Sequence, residues 1–279
     1  MEIQYLPEQI ETNSDSELQL YEYFISKSIN KNKVQLSKNV FSFLLNGTKE
    51  LITQNHTTRI ENDKFVIIKA GNCLMSESIS LSQNYRSMLL FFSDKAVEDF
   101  LKKYDYKNNH KQNNDPFIIT EYDRVIQNIV KSLVHLQTQP VDFINKMLPL
   151  KFEEILLYLV QMKGIDFLLN FVHHQNSSAK SFVDTMHKNA LNNLSIQELS
   201  FLCNMSVSTF KRNFDKEFQT SPIRWFQEKR LEHAAYLLQT KKMRASDVYE
   251  EIGFENLSSF VQAYKNKFGT TPKQSQINI

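Results

Sequence analysis

Residues 208–222 read STFKRNFDKEFQTSP and residues 258–272 read SSFVQAYKNKFGTTP, and the two stretches superpose without a gap at an offset of 50. Ser208, Phe210, Phe218, Thr220 and Pro222 recur as Ser258, Phe260, Phe268, Thr270 and Pro272. Phe214 recurs as Tyr264, so each copy carries aromatics at i, i+4 and i+8 along one helical face, with Lys, Arg, Asn and Gln on the other. The aromatic stripe reads as core and the polar face as the side left for a partner.

Each copy follows a shorter helical pattern and a tight turn. Ile196, Leu199 and Leu202 lead into Cys203-Asn204-Met205-Ser206, where Ser206 is placed to cap the next helix. Val248 and Ile252 lead into Gly253, suited to a left-handed turn, and then Phe254, Glu255 and Asn256. Short helix, tight turn, polar-faced helix is the helix-turn-helix plan. Between the copies, residues 222–238 place Phe226, Leu231, Ala234, Ala235 and Leu238 at helical spacing, with Pro222 allowed at the first position. A helix of that length spans roughly 25 Å, and with its flanking turns could hold two recognition helices about 34 Å apart, one turn of B-DNA. Without DNA as the partner, the same repeat reads as an all-α module that binds a protein.

The charge supports that direction without deciding it. Residues 176–279 carry 14 Lys and Arg against 10 Asp and Glu, leaving 19 against 21 for residues 1–175. An excess of four is common on inert surfaces. The remaining composition excludes several classes. The five glycines, Gly47, Gly71, Gly164, Gly253 and Gly269, make neither a GxGxxG nor a P-loop. Cys73 and Cys203 form no CxxC pair, and the histidines, including the adjacent His173 and His174, make no HxH or HExxH spacing. No GxSxG occurs. The expectation is a chain that is not an enzyme, with no catalytic residues, no metal and no cofactor. No secretory signal or run of about 18 apolar residues stands out, which with two lone cysteines points to a cytoplasmic protein without a membrane segment.

From about Phe182 to Gln276 the chain resembles the DNA-binding domain of the AraC/XylS family of bacterial transcription regulators. The residues that carry the resemblance are Leu199, Ser206, Phe214 and Ser221-Pro222, then Arg230-Leu231, Ala234 and Leu237-Leu238, then Ile252-Gly253-Phe254, Ser258, Phe260, Lys265, Phe268-Gly269 and Thr271-Pro272. Carried over by position, the resemblance implies that the first recognition helix presents Ser208, Thr209, Lys211 and Arg212 to the major groove. Lys211 or Arg212 could pair with guanine O6 and N7. The second helix would present Leu257, Ser258, Val261 and Gln262, with Gln262 suited to adenine and Leu257 or Val261 to a thymine methyl. Ser206, Lys216, Arg224, Lys265 and Lys267 are implied as DNA-backbone contacts. The sequence departs from the family pattern at Ser200 and Tyr249, where alanine is usual, and at Asn204, which replaces the turn glycine. Tyr249 implies altered local packing with the fold retained.

The N-terminal half reads differently. Apolar runs at 21–25, 40–45, 51–53, 65–68 and 88–92 suggest strands. Asn46-Gly47 and Ala70-Gly71-Asn72 are turn signals of the kind that join antiparallel neighbours. A small β-barrel or sandwich is the economical architecture. After the polar stretch 107–115, read as a surface loop, Val125, Ile129, Leu133 and Leu136 give a helix ended by Pro140. A second helix is expected to begin at Pro149 and to carry Phe152, Ile155, Leu156, Leu159 and Val160 as far as Gly164. These stripes could be buried on the parent domain or pair between subunits in a homodimer.

The expected fold is α+β with two domains: an N-terminal β-rich, cupin-like barrel followed by two helices, and a C-terminal all-α domain with two helix-turn-helix motifs. The expected divisions are 1–112 for sensing, 113–175 for the helical pair and 176–279 for DNA binding. The family resemblance implies a promoter-binding regulator, most often an activator, that meets RNA polymerase and answers an unidentified small-molecule or protein effector. The segment 151–159, KFEEILLYL, resembles the corresponding helix of members akin to type III secretion activators, which partner proteins control. The barrel lacks the cupin metal histidines, so a ligand pocket, if present, would fall among residues such as Phe41, Phe43, Met75, Tyr85 and Phe91, which otherwise serve as core. An enzyme carried on the barrel would need convergent titratable groups, and no spacing supplies them.

Overall fold

The computed structural model describes residues 3–10, 16–54, 56–81, 84–106, 115–169, 171 and 179–277. The polar stretch 107–114, together with His110, His173 and His174, lies outside the described residues. The chain divides into two compact units, Met1–Asn176 and Ser177–Ile279.

Among the described residues, the first unit holds ten strands: β1 (Ile3–Leu6), β2 (Leu18–Ile25), β3 (Ile29–Leu36), β4 (Asn39–Asn46), β5 (Thr48–Ile52), β6 (Thr57–Ile60), β7 (Lys64–Ile68), β8 (Gly71–Ser78), β9 (Tyr85–Phe92) and β10 (Phe117–Glu121). They form two five-stranded sheets, ordered β1-β3-β8-β5-β6 and β10-β7-β4-β9-β2. The five apolar runs fall in β2, β4, β5, β7 and β9. The central strands of the second sheet, β7, β4 and β9, are buried on both faces. Phe41, Phe43, Phe65, Ile67, Met88, Leu90 and Phe92 pack toward helices, while Val40, Leu44, Val66, Ile68, Leu89 and Phe91 pack toward the first sheet. Alternate residues of one strand thus serve two cores.

The two turn signals do not make hairpins. Asn46-Gly47 carries the chain from β4 in the second sheet to β5 in the first, and Gly71 opens β8 after β7 in the other sheet. Gly47 suits that crossing because its φ is +90° and a Cβ there would stand 2.6 Å from the Ser78 carbonyl oxygen. The five aromatic and Met residues named as candidates for a pocket or for core all serve as core, on the two sides of the second sheet. Phe41 and Phe43 face the helices, whereas Met75, Tyr85 and Phe91 lie in the core between the sheets.

Four helices accompany them among the described residues: α1 (Asp94–Lys103), α2 (Arg124–Gln137), α3 (Val141–Lys163) and α4 (Asp166–Leu169). In α2, Asp123 accepts the Ile126 amide hydrogen at 2.9 Å, and Ile126, Ile129, Val130, Leu133 and Leu136 are buried. Val125, expected on that stripe, is 44% exposed. The start of α3 also differs from expectation. The helix begins at Val141, with Pro140 as its cap, and Pro149 lies inside it. An interior proline removes one backbone hydrogen bond and costs about 3 kcal/mol. Ile144, Met147 and Leu148 extend the apolar stripe upstream onto the same core as Phe152 and Ile155, and their burial offsets that cost.

The second unit is helical: α5 (Ala179–Lys188), α6 (Ile196–Leu202), α7 (Val207–Phe218), α8 (Pro222–Gln239), α9 (Ala245–Glu251), α10 (Leu257–Phe268) and α11 (Pro272–Ile277). Phe182, Met186, Leu199, Cys203, Phe210, Phe214 and Trp225 form one core. Leu231, Ala234, Leu237, Leu238, Val248, Ile252, Phe260 and Tyr264 form another. The two cores share no residue, and α8 enters both. The architecture is the two-domain α+β arrangement expected from the sequence. Cys73 and Cys203 are both buried and free, and burial pushes each thiol up to about 12.

Candidate nucleic-acid interface

The fifty-residue repeat is a repeat of three helices. α6, α7 and α8 in the first copy correspond to α9, α10 and α11 in the second, with Pro222 and Pro272 each opening the third helix. The caps repeat too. Ser206 Oγ accepts the Thr209 amide hydrogen at 3.2 Å, and Asn256 Oδ1 accepts that of Ser259 at 2.8 Å. Gln219 and Gly269 both close their helices in the left-handed conformation. The turns differ by one residue, residues 203–206 against 252–256. Asn204, in place of the usual glycine, takes φ +54°, a conformation asparagine reaches more easily than most side chains. Ser200 is buried and its hydroxyl donates to the Gln197 carbonyl at 3.1 Å. Tyr249 is half-buried against the second core and donates its hydroxyl to Glu250 at 2.8 Å, which turns the ring outward and admits a side chain larger than alanine.

The aromatic stripes are core at two of their three positions. Phe210, Phe214, Phe260 and Tyr264 are wholly buried, Phe218 is partly covered and Phe268 is 37% exposed. On the opposite face of α7, Ser208, Lys211, Arg212 and Lys216 are exposed at i, i+3, i+4 and i+8, while Thr209 is half-buried beside the cap. Lys211, Arg212 and Lys216 make no ion pair with another described residue. On α10, Leu257, Ser258, Gln262 and Lys265 are exposed, and Val261 is half-buried against the second core. The structure therefore brings together three exposed cations on the first helix, whereas on the second Lys265 is exposed among uncharged groups and Lys267 is half-buried.

Three of the expected backbone contacts are already engaged, Ser206 in the α7 cap and Arg224 and Lys267 with glutamates. Arg224 Nε donates to Glu228 Oε1 at 3.0 Å in an exposed i,i+4 pair. Lys267 Nζ donates to the Glu228 carbonyl at 2.9 Å and to Glu232 Oε1 at 3.0 Å. Hydrogen bonds from Lys229 and Lys267 hold the Glu232 carboxyl below the usual range. An exposed i,i+4 pair is worth little and exchanges readily for phosphate, whereas Lys267 is tied at two points. Two exposed residues on these faces escaped the sequence reading. Asp215 lies one turn beyond Lys211, and Asn266 accepts the Gln262 side-chain amide at 2.8 Å. The offset of 50 carried a signal for Asn266, which stands where Lys216 stands in the first copy.

Comparison with known proteins bears on both units. Residues 199–276 match the helix-turn-helix domain family and residues 39–171 match the ExsA N-terminal regulatory domain. In both matched regions the chain is similar to regulators of the AraC family. Among its relatives, the virulence regulon transcriptional activator VirF of Yersinia enterocolitica is 29% identical over 163 residues, 58% of this chain and 60% of VirF. The HTH-type transcriptional regulator ExsA of Pseudomonas aeruginosa is 30% identical over 128 residues, 46% of each chain. The chain thus spans 60% or less of the length of these two AraC relatives. The solved structure of ToxT from Vibrio cholerae aligns with 94% of this chain and 98% of its own, at 12% identity and a TM-score of 0.41. Among the described residues, no helix is long and apolar enough to cross a membrane.

Proposed function

We propose that this chain is a sequence-specific DNA-binding transcription regulator, an activator that reads two successive major grooves of promoter DNA. The observation that carries the reading is the pair of equivalent, separately cored helices α7 and α10, each leaving a polar face uncovered. Lys211 and Arg212 read guanine from α7, with Ser208 and Thr209 beside them. Leu257, Ser258, Val261 and Gln262 make the softer contacts of α10. Ser206, Lys216, Arg224 and Lys265 hold the DNA backbone, and Lys267 joins them to the extent that Glu232 releases it. The relatives named as transcriptional activators support this reading, and the family resemblance extends it to contact with RNA polymerase. The N-terminal unit would sense the controlling signal.

The test is selection of full-length protein on a random duplex library, with the recovered sequence titrated at several salt concentrations. Two conserved blocks about one helical turn apart are expected. Lys216→Ala and Lys265→Ala should each weaken binding evenly across sequences and lower the salt slope by about one unit. Retention without enrichment of any motif would contradict sequence-specific reading.

We also propose a homodimer through α3. Its buried stripe is spent on the first unit, yet Phe143, Leu150 and Leu157 are 48%, 57% and 37% exposed at seven-residue intervals. A seven-residue spacing drifts by only about 20° per step around a helix, so the three side chains make one apolar strip suited to the same strip of a second copy. Sedimentation should show a dimer that Leu150→Lys dissociates. A monomer at all accessible concentrations would remove the proposal.

A further inference from the structure

The two helix-turn-helix cores have no residue in common, so the pose of one motif against the other depends on α8 and on whatever braces it. One brace is visible midway along that helix. Asn193, in the connection before α6, takes φ +45° and lays its amide flat on Gly253. A Cβ at Gly253 would stand 2.7 Å from Asn193 Nδ2 and 2.8 Å from its Cγ. Arg230, from the middle of α8, donates from Nη1 to Asn193 Oδ1 at 2.8 Å. Its guanidinium carbon stands 6.0 Å from the centroid of the Phe254 ring. Gly253 and Phe254 lie in the turn that launches α10. The first copy's leading segment, the shared helix and the second copy's turn therefore meet at one point.

Each group has a property suited to bracing. Asparagine tolerates the left-handed backbone that aims its side chain at the turn. Arginine presents a planar cation that can donate to an amide and lie over a ring at once, which lysine cannot reproduce. Glycine supplies the positive φ of the turn, +76° here, and leaves the space that the amide occupies. Arg230 Nε is buried without a hydrogen-bond partner among the described residues. The guanidinium thus forgoes one hydrogen bond in the orientation that serves the other two contacts.

We propose that Asn193, Arg230 and Gly253 form a latch that fixes the second recognition helix in rotation and distance relative to the first. They are positioning residues that decide which spacing between two DNA blocks the chain accepts. The proposal rests on the DNA-reading function above and adds a determinant of specificity that touches no base. In a rigid pair of readers, a one-base-pair insertion rotates the second block about 34° away from its helix. With the latch open, the second motif can pivot about α8 and follow.

The test uses the full chain and the duplex recovered by selection, in versions with one base pair added or removed between the blocks and one with the second block scrambled. Asn193→Gly keeps the left-handed backbone and removes the side chain, and Arg230→Met keeps the length and removes the donors. Wild-type protein should lose about 30-fold in affinity on either spacing change, in the range that disrupted base contacts produce. Both variants should lose no more than about threefold on the same change. They should bind the matched duplex roughly five- to tenfold more weakly than wild type and equal it on the one-block duplex. The one-block arm shows that α7 remains folded and competent. Variants that keep the wild-type spacing penalty, or that lose one-block affinity with an unchanged spacing profile, overturn the latch. A wild-type protein indifferent to spacing and to the second block overturns the two-groove reading itself, and the latch's role with it.

Discussion

Lys211→Ala and Arg212→Ala combined are expected to weaken specific duplex binding by about 2–6 kcal/mol at fixed salt, taking about 1–3 kcal/mol for each base contact. The folded state should be untouched. Both side chains are exposed on α7 and pair with no described residue, and alanine is the best helix former at such positions. The buried aromatics on the other side, Phe210 and Phe214, would keep the core intact. Equal melting temperatures with a large affinity loss would place the contact on the polar face. The alternative, a module that binds a protein, makes a different forecast. A partner seated on the partly exposed edge near Phe218 and Phe268 would be insensitive to the double substitution. Gln262→Ala serves as an internal comparison, since α10 offers no exposed cation before Lys265, and should cost less than the α7 double. Unchanged affinity in the double variant, measured on the selected duplex, would mean that the reading face is wrongly assigned.

How much of this was legible in the sequence follows from burial. β4, β7 and β9 are the central strands of the second sheet and are covered on both faces, so they read as continuous apolar runs. β3 and β8 are paired in the sheet with one open face, and their sequences, INKNKVQL and GNCLMSES, alternate too weakly to stand out. The turn glycines were visible, but which sheet each strand joins is a long-range matter that a local turn signal does not encode. Pro149 misled for the same reason. Its local preference for a helix start was outweighed by the tertiary burial of Ile144 and Leu148. In the C-terminal unit, by contrast, the helices, caps and cores follow from a periodic pattern written twice. What the repeat could not reveal were contacts between its copies: Lys267 with Glu232, and Asn193 and Arg230 with the Gly253-Phe254 turn. Those depend on the angle between elements, and no spacing along one helix records it.

Glu77→Gln is expected to destabilise the first unit by about 3–5 kcal/mol, because it strands a buried cation. Lys49 on β5 and Glu77 on β8 stand directly opposite in the ladder, with Nζ 3.2 Å from Oε1 and side-chain exposures of 3% and 8%. Burial alone would push the Lys49 ammonium down, yet Tyr85 and Glu77 outweigh it and hold the group above the ordinary lysine range. Burial and then Glu77 likewise push the Tyr23 phenol up. Glutamine is nearly isosteric, so the loss would measure charge rather than a cavity. Replacing both partners, Lys49→Met with Glu77→Leu, should recover most of the stability or exceed wild type, since apolar pairs of similar volume need no desolvation of charge. Calorimetry of the full chain reads both, through the transition belonging to the first unit. A Glu77→Gln variant within about 1 kcal/mol of wild type would mean that water reaches the pair. The double variant then separates stability from register. A one-residue slip of β5 would turn Lys49 outward and send Thr48 and Glu50 toward the core, which the buried pair penalises and an apolar pair penalises less. Faster amide exchange along β5 in a double variant that melts no lower than wild type would assign the pair to fixing register, and equal exchange would assign that task to Leu51 and Ile52.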